Sequence, residues 1–182
     1  MIAPRRYCAA ALAPFALAMA GPAQADERDW ATASDVAVGG LLAWSVGRPL
    51  VSGDEKGALQ AGLSIAAAQG VTQLLKRLVD KERPDGSNNR SFPSGHTATA
   101  FAAASSIMER RGADEGLPAL ALAGLAGTAR VQARKHDWAD VAAGAAIGTA
   151  SGVLATHSRR RQTSLVAWGT PNGGGLALSM TF

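Results

Sequence analysis

The sequence predicts an all-α protein, a compact bundle of five to six helices that ends in a short β-hairpin. Hydrophobic residues make up 47% of the chain, but aromatic residues only 5%, which favours helices packed closely through Ala, Gly and Leu. Apolar stretches alternate with short breaks that contain Gly, Pro or charged residues. A chain of 182 residues is long enough for one domain with a core of its own, and no second domain is needed.

The first 25 residues have the pattern of a secretion signal. Two arginines, Arg5 and Arg6, precede an apolar run over 9–20, and Ala23-Gln24-Ala25 offers a small-residue cleavage site. We expect either cleavage after Ala25 or retention of this segment as a first apolar helix. Cys8 is the only cysteine and lies in this segment, so a mature chain would have no thiol. The predicted organisation is therefore 1–25, a helical bundle over 26–160, and a tail over 161–182.

Five helices are predicted from the apolar stretches, at 31–46, 55–81, 94–111, 117–134 and 138–157. The residues expected to break them are Gly47, Pro49, Gly53, Gly112, Gly116 and Pro118, together with the loop 84–93. The second helix carries a polar stripe at steps of three to four residues, formed by Gln69, Gln73, Lys76 and Asp80. The last helix carries small residues that allow close approach, namely Gly144, Ala145, Gly148 and Gly152.

The tail departs from the helical pattern. Residues 164–169 and 175–182 alternate around the turn sequence Pro171-Asn172-Gly173-Gly174, which predicts two strands of a hairpin. We expect the hairpin to pack on the bundle or to pair with another subunit.

Three short stretches carry cations, imidazoles and a carboxylate that would suit one phosphate group. The first has Lys76, six residues and then Arg83-Pro84; the second is Pro93-Ser94-Gly95-His96; the third has Arg130, five residues, His136, three residues and Asp140. Phosphoryl transfer needs positive charge around the equatorial oxygens, an in-line nucleophile and an acid for the leaving oxygen. The three stretches together contain a candidate for each of these roles.

The residue types suggest how the roles divide. Arginine can bind phosphate oxygens with two parallel hydrogen bonds, which suits Arg83 and Arg130, and Lys76 adds a point charge. His136 can attack phosphorus through one ring nitrogen if a carboxylate holds the other, and Asp140 lies one helical turn further on. This leaves His96 as the acid.

In order and spacing, the three stretches resemble the type 2 phosphatidic acid phosphatase superfamily, which also contains bacterial acid phosphatases and vanadium haloperoxidases. The resemblance implies that His136 is a phosphohistidine nucleophile, that Asp140 orients it and that His96 is the general acid. It implies a phosphate pocket made of Lys76, Arg83, Ser94, Gly95 and Arg130. One departure is Ala129, where the family usually has a serine, and this affects at most one phosphate hydrogen bond.

Structural interpretations of the same residues are compatible with these roles. Ser94 after Pro93 fits the start of a helix, and Asp137 with Asp140 fits a capping arrangement. Helix N-termini also present free N–H groups to anions, so two helices that start at the site would favour phosphate binding. His157 lacks such a setting, and we expect it to be structural.

Three functions follow from this pattern: a lipid-phosphate or small phosphate-ester hydrolase, a vanadate-dependent haloperoxidase, and an inactive membrane scaffold. Hydrolysis of a phosphate monoester or pyrophosphate is favoured because the pocket is intact and the haloperoxidases are much longer chains. We expect no cofactor and no metal, since the sequence lacks acidic ligand clusters. The net charge of +4 suits phosphate and lipid headgroups better than nucleic acid, because no aromatic residues are interleaved with the basic ones.

Two locations in a bacterial cell envelope remain open. A bundle that spans the inner membrane, with its site facing the periplasm, would place the basic segments at Arg48 and Lys56, at 110–111 and at 159–161 in the cytoplasm. A soluble or peripheral periplasmic enzyme, such as a non-specific acid phosphatase, is favoured by polar residues within the apolar runs. The sequence does not indicate an oligomeric state.

Overall fold

The computed structural model describes residues 25–157, together with the backbone of residues 163–170 and 173–180. The predicted all-α bundle is confirmed: five helical rods make up the main body of the described chain. Their helices are α1 (Glu27–Leu42), α2 (Arg48–Val51), α3 (Glu55–Leu78), α4 (Gly95–Arg111), α5 (Ala113–Gln132) and α6 (Trp138–His157). The predicted segment 1–25 lies outside the described residues, apart from Ala25.

The first rod is longer than the predicted helix 31–46. It begins after Asp26, whose side chain accepts from the backbone of Asp29, while the Asp29 side chain accepts from the Asp26 backbone. A π-helical turn, Ala43–Gly47, connects α1 directly to α2. Pro49 has no N–H to give and would crowd the carbonyl four residues back, so a widened turn before it lets the rod continue where we predicted a break.

Two further helix bounds differ from the predictions. α3 ends at Leu78 instead of Lys81, which leaves Lys81 in the following loop. α5 begins at Ala113 instead of 117, and Pro118 lies inside the helix instead of breaking it. Pro118 lies in the second turn of α5, where it removes a single backbone hydrogen bond.

α4 lies at the centre of the bundle, and its middle part, from Thr97 to Ile107, is buried except for the half-buried Phe101. α6 packs directly on it through glycines four residues apart, Gly144, Gly148 and Gly152. A Cβ on Gly144 would lie 2.5 Å from the carbonyl oxygen of Ser94, and one on Gly152 would lie 2.9 Å from that of Ala102. The predicted close approach through small residues of the last helix is therefore confirmed.

Charged residues concentrate at the two ends of the bundle. Between them, the four outer rods have stretches without any charged residue, at 36–47, 57–75, 116–129 and 141–156. We call these stretches together the charge-free belt. Most of its large exposed side chains are apolar, and Gln73 is an exposed polar one. The apolar ones are Val36, Leu59, Leu63, Val71, Leu74, Leu117, Leu125 and Leu154. The longest stretch, 57–75, extends about 28 Å along its helix, close to the roughly 30 Å of a bilayer's hydrocarbon core.

One helix among the described residues is long and apolar enough to cross a membrane by length and composition. It is the stretch Trp138–Thr156 of α6, of which 28% is buried within the protein.

In the tail, the backbone of β1 (Thr163–Thr170) pairs antiparallel with that of β2 (Gly173–Met180). Their side chains and residues 181–182 lie outside the described part of the chain. The predicted packing of this hairpin on the bundle or on another subunit stays a prediction.

Candidate active site

The loop between α3 and α4 folds back on itself and presents the first group of site residues. The backbone N–H of Lys81 donates to the carbonyl of Asn89, and that of Ser91 donates to the carbonyl of Lys81. Arg83 is fixed in the same way, since its backbone N–H donates to Asn88 at 2.9 Å. These bonds connect the two arms of the loop and determine the position from which Arg83 reaches the site.

The end of α5 brings His136 next to Arg130. Arg134 adopts a left-handed conformation, with φ of 52°, and its N–H donates to Val131 while that of Lys135 donates to Arg130. This pair of bonds is a Schellman motif, which reverses the chain sharply at a helix end. The backbone N–H of His136 then donates to the same Arg130 carbonyl at 3.3 Å, so the turn explains the five-residue spacing of the motif.

α4 and α6 both begin at the site. Ser94 caps α4, as predicted, and its own N–H donates to the carbonyl of Asp140 at 3.0 Å. The predicted capping arrangement at α6 is also confirmed: the N–H of Asp137 donates to the Asp140 carboxylate, and the N–H of Asp140 donates to the Asp137 carboxylate. Two helix N-termini, with their positive dipole ends and free N–H groups, therefore meet at one place.

His136 and Asp140 form a buried pair. The ring nitrogen Nδ1 of His136 lies 3.5 Å from Oδ2 of Asp140, and no described residue offers it a closer hydrogen-bond partner. Burial, followed by the charges of Lys76, Arg83 and Arg130, lowers the pKa of His136 from its ordinary value of 6.5 to about 4. The imidazole is thus neutral at physiological pH, with Nδ1 turned toward the carboxylate.

The two arginines of the motifs carry buried donors that the protein does not use. Nε of Arg83 and Nε of Arg130 are shielded from solvent and have no hydrogen-bond partner in the described structure. Such unpaired N–H groups destabilise the folded protein, because a buried donor loses its hydrogen bonds to water and forms none with the protein in their place. Both arginines also lie close enough to His136 to depress its pKa. An anion that binds beside His136 would satisfy them.

Lys76 lies on the other side of this group. Its ammonium donates to the carbonyl of Arg90 at 2.7 Å and to that of Ser91 at 3.3 Å. Burial, followed by the positive charge of Arg83, lowers the pKa of Lys76 to about 8, while Asp140 opposes the shift. Lys76 remains a cation at neutral pH and adds to the positive field of the site.

His96 has a partner that sequence reasoning missed. Its Nε2 lies 2.8 Å from Oδ1 of Asp35 on α1, and the same oxygen is 3.8 Å from Nη1 of Arg130. Burial is the main cause that lowers the pKa of His96, and the contact with Asp35 opposes it. Asp35 is a lone acidic residue in an apolar stretch, which is the signal that could have identified it.

Lys81 and Ser91 are the other contacts that the motifs did not indicate. Lys81 donates to Oδ1 of Asp140 at 2.7 Å and also pairs with Asp137, while the Ser91 hydroxyl donates to Oδ2 of Asp140. No pattern in the sequence distinguished Lys81 from the other cations of its segment.

The structure brings all eight predicted site residues to one end of the bundle: His136, His96, Asp140, Lys76, Arg83, Ser94, Gly95 and Arg130. Gly95 is the first residue of α4, and a Cβ there would make only ordinary contacts with Gln69 and Thr72. Gln69, from the predicted polar stripe, donates to the Gly95 carbonyl at 2.9 Å. The described residues contain no group of three or more His, Cys, Asp or Glu that could hold a metal ion.

Known proteins share both the sequence and the fold of this chain. A lipid A 1-phosphatase from Porphyromonas gingivalis is 36% identical over 95 residues, which is 50% of this chain and 21% of that protein, so the chain spans about a fifth of its relative. The crystal structure of LpxE from Aquifex aeolicus has a similar fold, with a TM-score of 0.63 and 24% identity, over 79% of this chain and 93% of the other. The model of the PAP2 superfamily matches residues 57–164, which include the three motifs from Lys76 to Asp140, and the chain therefore belongs to the PAP2 superfamily.

Proposed function

We propose that this protein is a phosphatase that hydrolyses a phosphate monoester or pyrophosphate of a lipid through a phosphohistidine at His136. The observation that carries this proposal is the pair of buried, unpartnered Nε–H groups of Arg83 and Arg130 beside a neutral imidazole. A phosphate group has the charge and the acceptor oxygens that these donors lack in the free protein. Membership of the PAP2 superfamily supports the same chemistry.

In the proposed reaction, His136 attacks phosphorus through Nε2, since Nδ1 faces Asp140. The bond from phosphorus to the leaving oxygen breaks, and His96 gives that oxygen a proton. Asp140 stabilises the positive charge that forms on the imidazole. A water molecule then attacks the phosphohistidine, with His96 accepting its proton, and phosphate is released. Arg83, Arg130 and Lys76 stabilise the equatorial oxygens throughout.

The lipid character of the substrate is supported by two observations. A relative that shares 36% identity over half of this chain is named a lipid A 1-phosphatase. In addition, the site lies at one end of the charge-free belt, where a headgroup at a membrane surface would meet it. A soluble phosphate ester is the alternative substrate class, and the experiment below separates the two.

We propose a bacterial inner-membrane location with the site facing the periplasm. The end of the bundle opposite the site is rich in basic residues, including Arg48, Arg110 and Arg111, which favours the cytoplasmic side for that end. A reporter fused after residue 182 should then be active in the cytoplasm. Release of the protein by osmotic shock, with a periplasmic reporter, would instead indicate the soluble or peripheral form.

The test of function is phosphate release from a panel of phosphatidic acid, phosphatidylglycerol phosphate, undecaprenyl pyrophosphate, lipid A and small soluble esters, with and without detergent. We expect a lipid substrate to be preferred and a chelator to leave the rate unchanged. Rapid quench should trap a phosphoenzyme that is labile to acid. His136→Ala should lose at least about a thousandfold in turnover and the phosphoenzyme with it, while the control His157→Ala should not. A phosphoenzyme that persists in His136→Ala would contradict the proposed nucleophile.

A further inference from the structure

We propose that Lys81, together with Ser91, is a positioning residue that fixes the Asp140 carboxylate against the His136 imidazole. This inference rests on the proposed function, in which His136 is the nucleophile. Lys81 lies between Lys76 and Arg83 of the first motif, and the family resemblance gives it no role.

The geometry around Asp140 is the first argument. Its side chain is fully buried, and both carboxylate oxygens are occupied: Lys81 donates to Oδ1 at 2.7 Å, and the hydroxyl of Ser91 donates to Oδ2. The N–H of Asp137 also donates to Oδ2, at 3.2 Å. A carboxylate held by donors on both oxygens cannot rotate, so its orientation toward Nδ1 of His136 is set by its partners and not by the imidazole.

The way Lys81 is held is the second argument. Its side chain extends from the loop toward the start of α6, where it forms ion pairs with both Asp137 and Asp140. Its ammonium also lies 5.9 Å from the centre of the Phe92 ring, in the range of a cation–π contact. Burial alone would lower the pKa of Lys81, but the hydrogen bonds and charges of Asp137 and Asp140 outweigh it, so the pKa is raised and Lys81 stays charged. Lys81 therefore connects the α3–α4 loop to the helix that carries Asp140.

Electrostatics supply the third argument. A buried carboxylate 3.5 Å from an imidazole favours the protonated ring, which cannot attack phosphorus. The ammonium of Lys81 offsets this negative charge, in addition to the other cations of the site. The charged groups that act directly on His136 are Lys76 from α3, Arg83 from the loop, Arg130 from α5 and Asp140 from the start of α6. Lys81 from the loop forms ion pairs with Asp137 and Asp140, so it acts on His136 through the Asp140 carboxylate. Removal of Lys81 leaves the carboxylate less neutralised and the imidazole more basic.

The test compares Lys81→Met, Lys81→Arg and Ser91→Ala with the wild type and with Lys56→Met, an exposed lysine at the opposite end of the bundle that controls for net charge. The pH dependence of kcat/KM, the KM and the rate of phosphoenzyme formation are measured on the full chain, with thermal unfolding in parallel. We expect Lys81→Met to slow phosphoenzyme formation by roughly 10- to 100-fold with little change in KM. The acid limb of its profile should move up by about one pH unit.

Two variants separate positioning from a merely structural role. Lys81→Arg keeps the charge and should restore most of the rate and the position of the acid limb. Ser91→Ala removes a neutral donor, so it should slow phosphoenzyme formation while moving the limb much less than Lys81→Met. If Lys81→Met fails to fold, the pH profiles of Lys81→Arg and Ser91→Ala still test the inference. A rate of phosphoenzyme formation in Ser91→Ala equal to that of the wild type would refute the positioning of Asp140 by Lys81 and Ser91.

A lowered melting temperature with unchanged rate and acid limb in Lys81→Met would overturn the inference and leave Lys81 as a structural ion pair. That result is distinct from a failure of the proposed function. The function fails if the wild type forms no phosphoenzyme, or if His136→Ala still forms one. The inference alone fails if the wild type forms a phosphoenzyme and the Lys81 variants form it at the same rate and with the same pH dependence.

Discussion

Substitution of Gly144 by alanine should disturb the site without touching any of its side chains. Gly144 lies one helical turn after Asp140, and its added Cβ would be 2.5 Å from the carbonyl oxygen of Ser94, 3.2 Å from the Cβ of Thr97 and 3.3 Å from the backbone nitrogen of Ala98. Real Cβ atoms essentially never lie within 3.0 Å of such an atom, so α6 must move away from α4 by at least about 0.5 Å.

The displacement reaches the site directly. The N–H of Ser94 donates to the Asp140 carbonyl at 3.0 Å, and this bond joins the starts of the two helices. Overpacking of this kind costs about 1–3 kcal/mol, which for a chain of this size lowers the melting temperature by roughly 2–12 °C. Because His136 and Asp140 belong to the α6 side and Ser94 to the α4 side, a sub-ångström shift should also lower kcat by about 10- to 100-fold.

The matched control is Gly124→Ala on α5, where an added Cβ meets nothing within 4 Å. This substitution replaces a flexible residue in a helix by a good helix former and should raise stability by about 0.5–1 kcal/mol with kcat unchanged. Thermal unfolding and initial rates of both variants provide the assay. If Gly144→Ala matches Gly124→Ala in melting temperature and in kcat, the contact between α4 and α6 does not position the site as argued.

Three further predictions concern single features of the structure. Arg134 has a φ of 52°, which glycine adopts without strain and alanine does not. Both substitutions lose the same side-chain contacts, so Arg134→Gly should be more stable than Arg134→Ala by about 1 kcal/mol in thermal unfolding. Equal stability of the two variants would contradict backbone strain at this position. The kcat/KM for a lipid phosphate should be highest between about pH 4 and 6.5. His136 becomes protonated and loses its nucleophilic form below its pKa of about 4, and His96, whose pKa is below its ordinary 6.5, loses the proton that it must donate as the pH rises. An optimum above pH 8 would exclude these assignments. Asp35→Asn removes a negative charge 2.8 Å from His96. Inorganic phosphate should therefore inhibit this variant several-fold more strongly, and the alkaline limb of the pH profile should move to lower pH, because the carboxylate favours protonated His96. An unchanged inhibition constant would show that Asp35 does not oppose anion binding.

The sequence predicted the helical bundle well because its signals are local. The apolar stretches and their Gly and Pro breaks predicted all five rods, and Ser94 and Asp137 were correctly interpreted as helix starts. Most motif residues lie at helix ends. Residues of one motif are there only a few positions apart, so a single turn of the backbone determines how their side chains are placed relative to one another. The Schellman turn at Arg134 is an example, since it carries the chain from Arg130 to His136 in five residues.

The errors in helix bounds have a different cause. Pro49 and Pro118 are strong breakers by propensity, yet both lie within helical rods, because a π-helical turn accommodates the first and the second is near a helix start. Propensity describes one residue at a time, whereas the continued rod buries Leu41, Ser45 and Pro49 along one face. Tertiary packing therefore outweighed the local preference at Pro49, whereas Pro118 is exposed and is tolerated because of its place near the helix start.

The contacts that the sequence could not predict are those that join distant segments. Asp35 and His96 are 61 positions apart, and Lys81 and Asp140 are 59 apart, so no spacing rule connects them. Each pair joins a motif residue to one that the motif pattern does not specify, and in each the partner adds a charge beside the motif residue. The motifs identify which groups can do the chemistry, but they do not show the charges that Asp35 adds beside His96 and that Lys81 adds beside Asp140. The pH profile is therefore the measurement in which this protein should differ most from relatives that share its motifs but place other residues at these two positions.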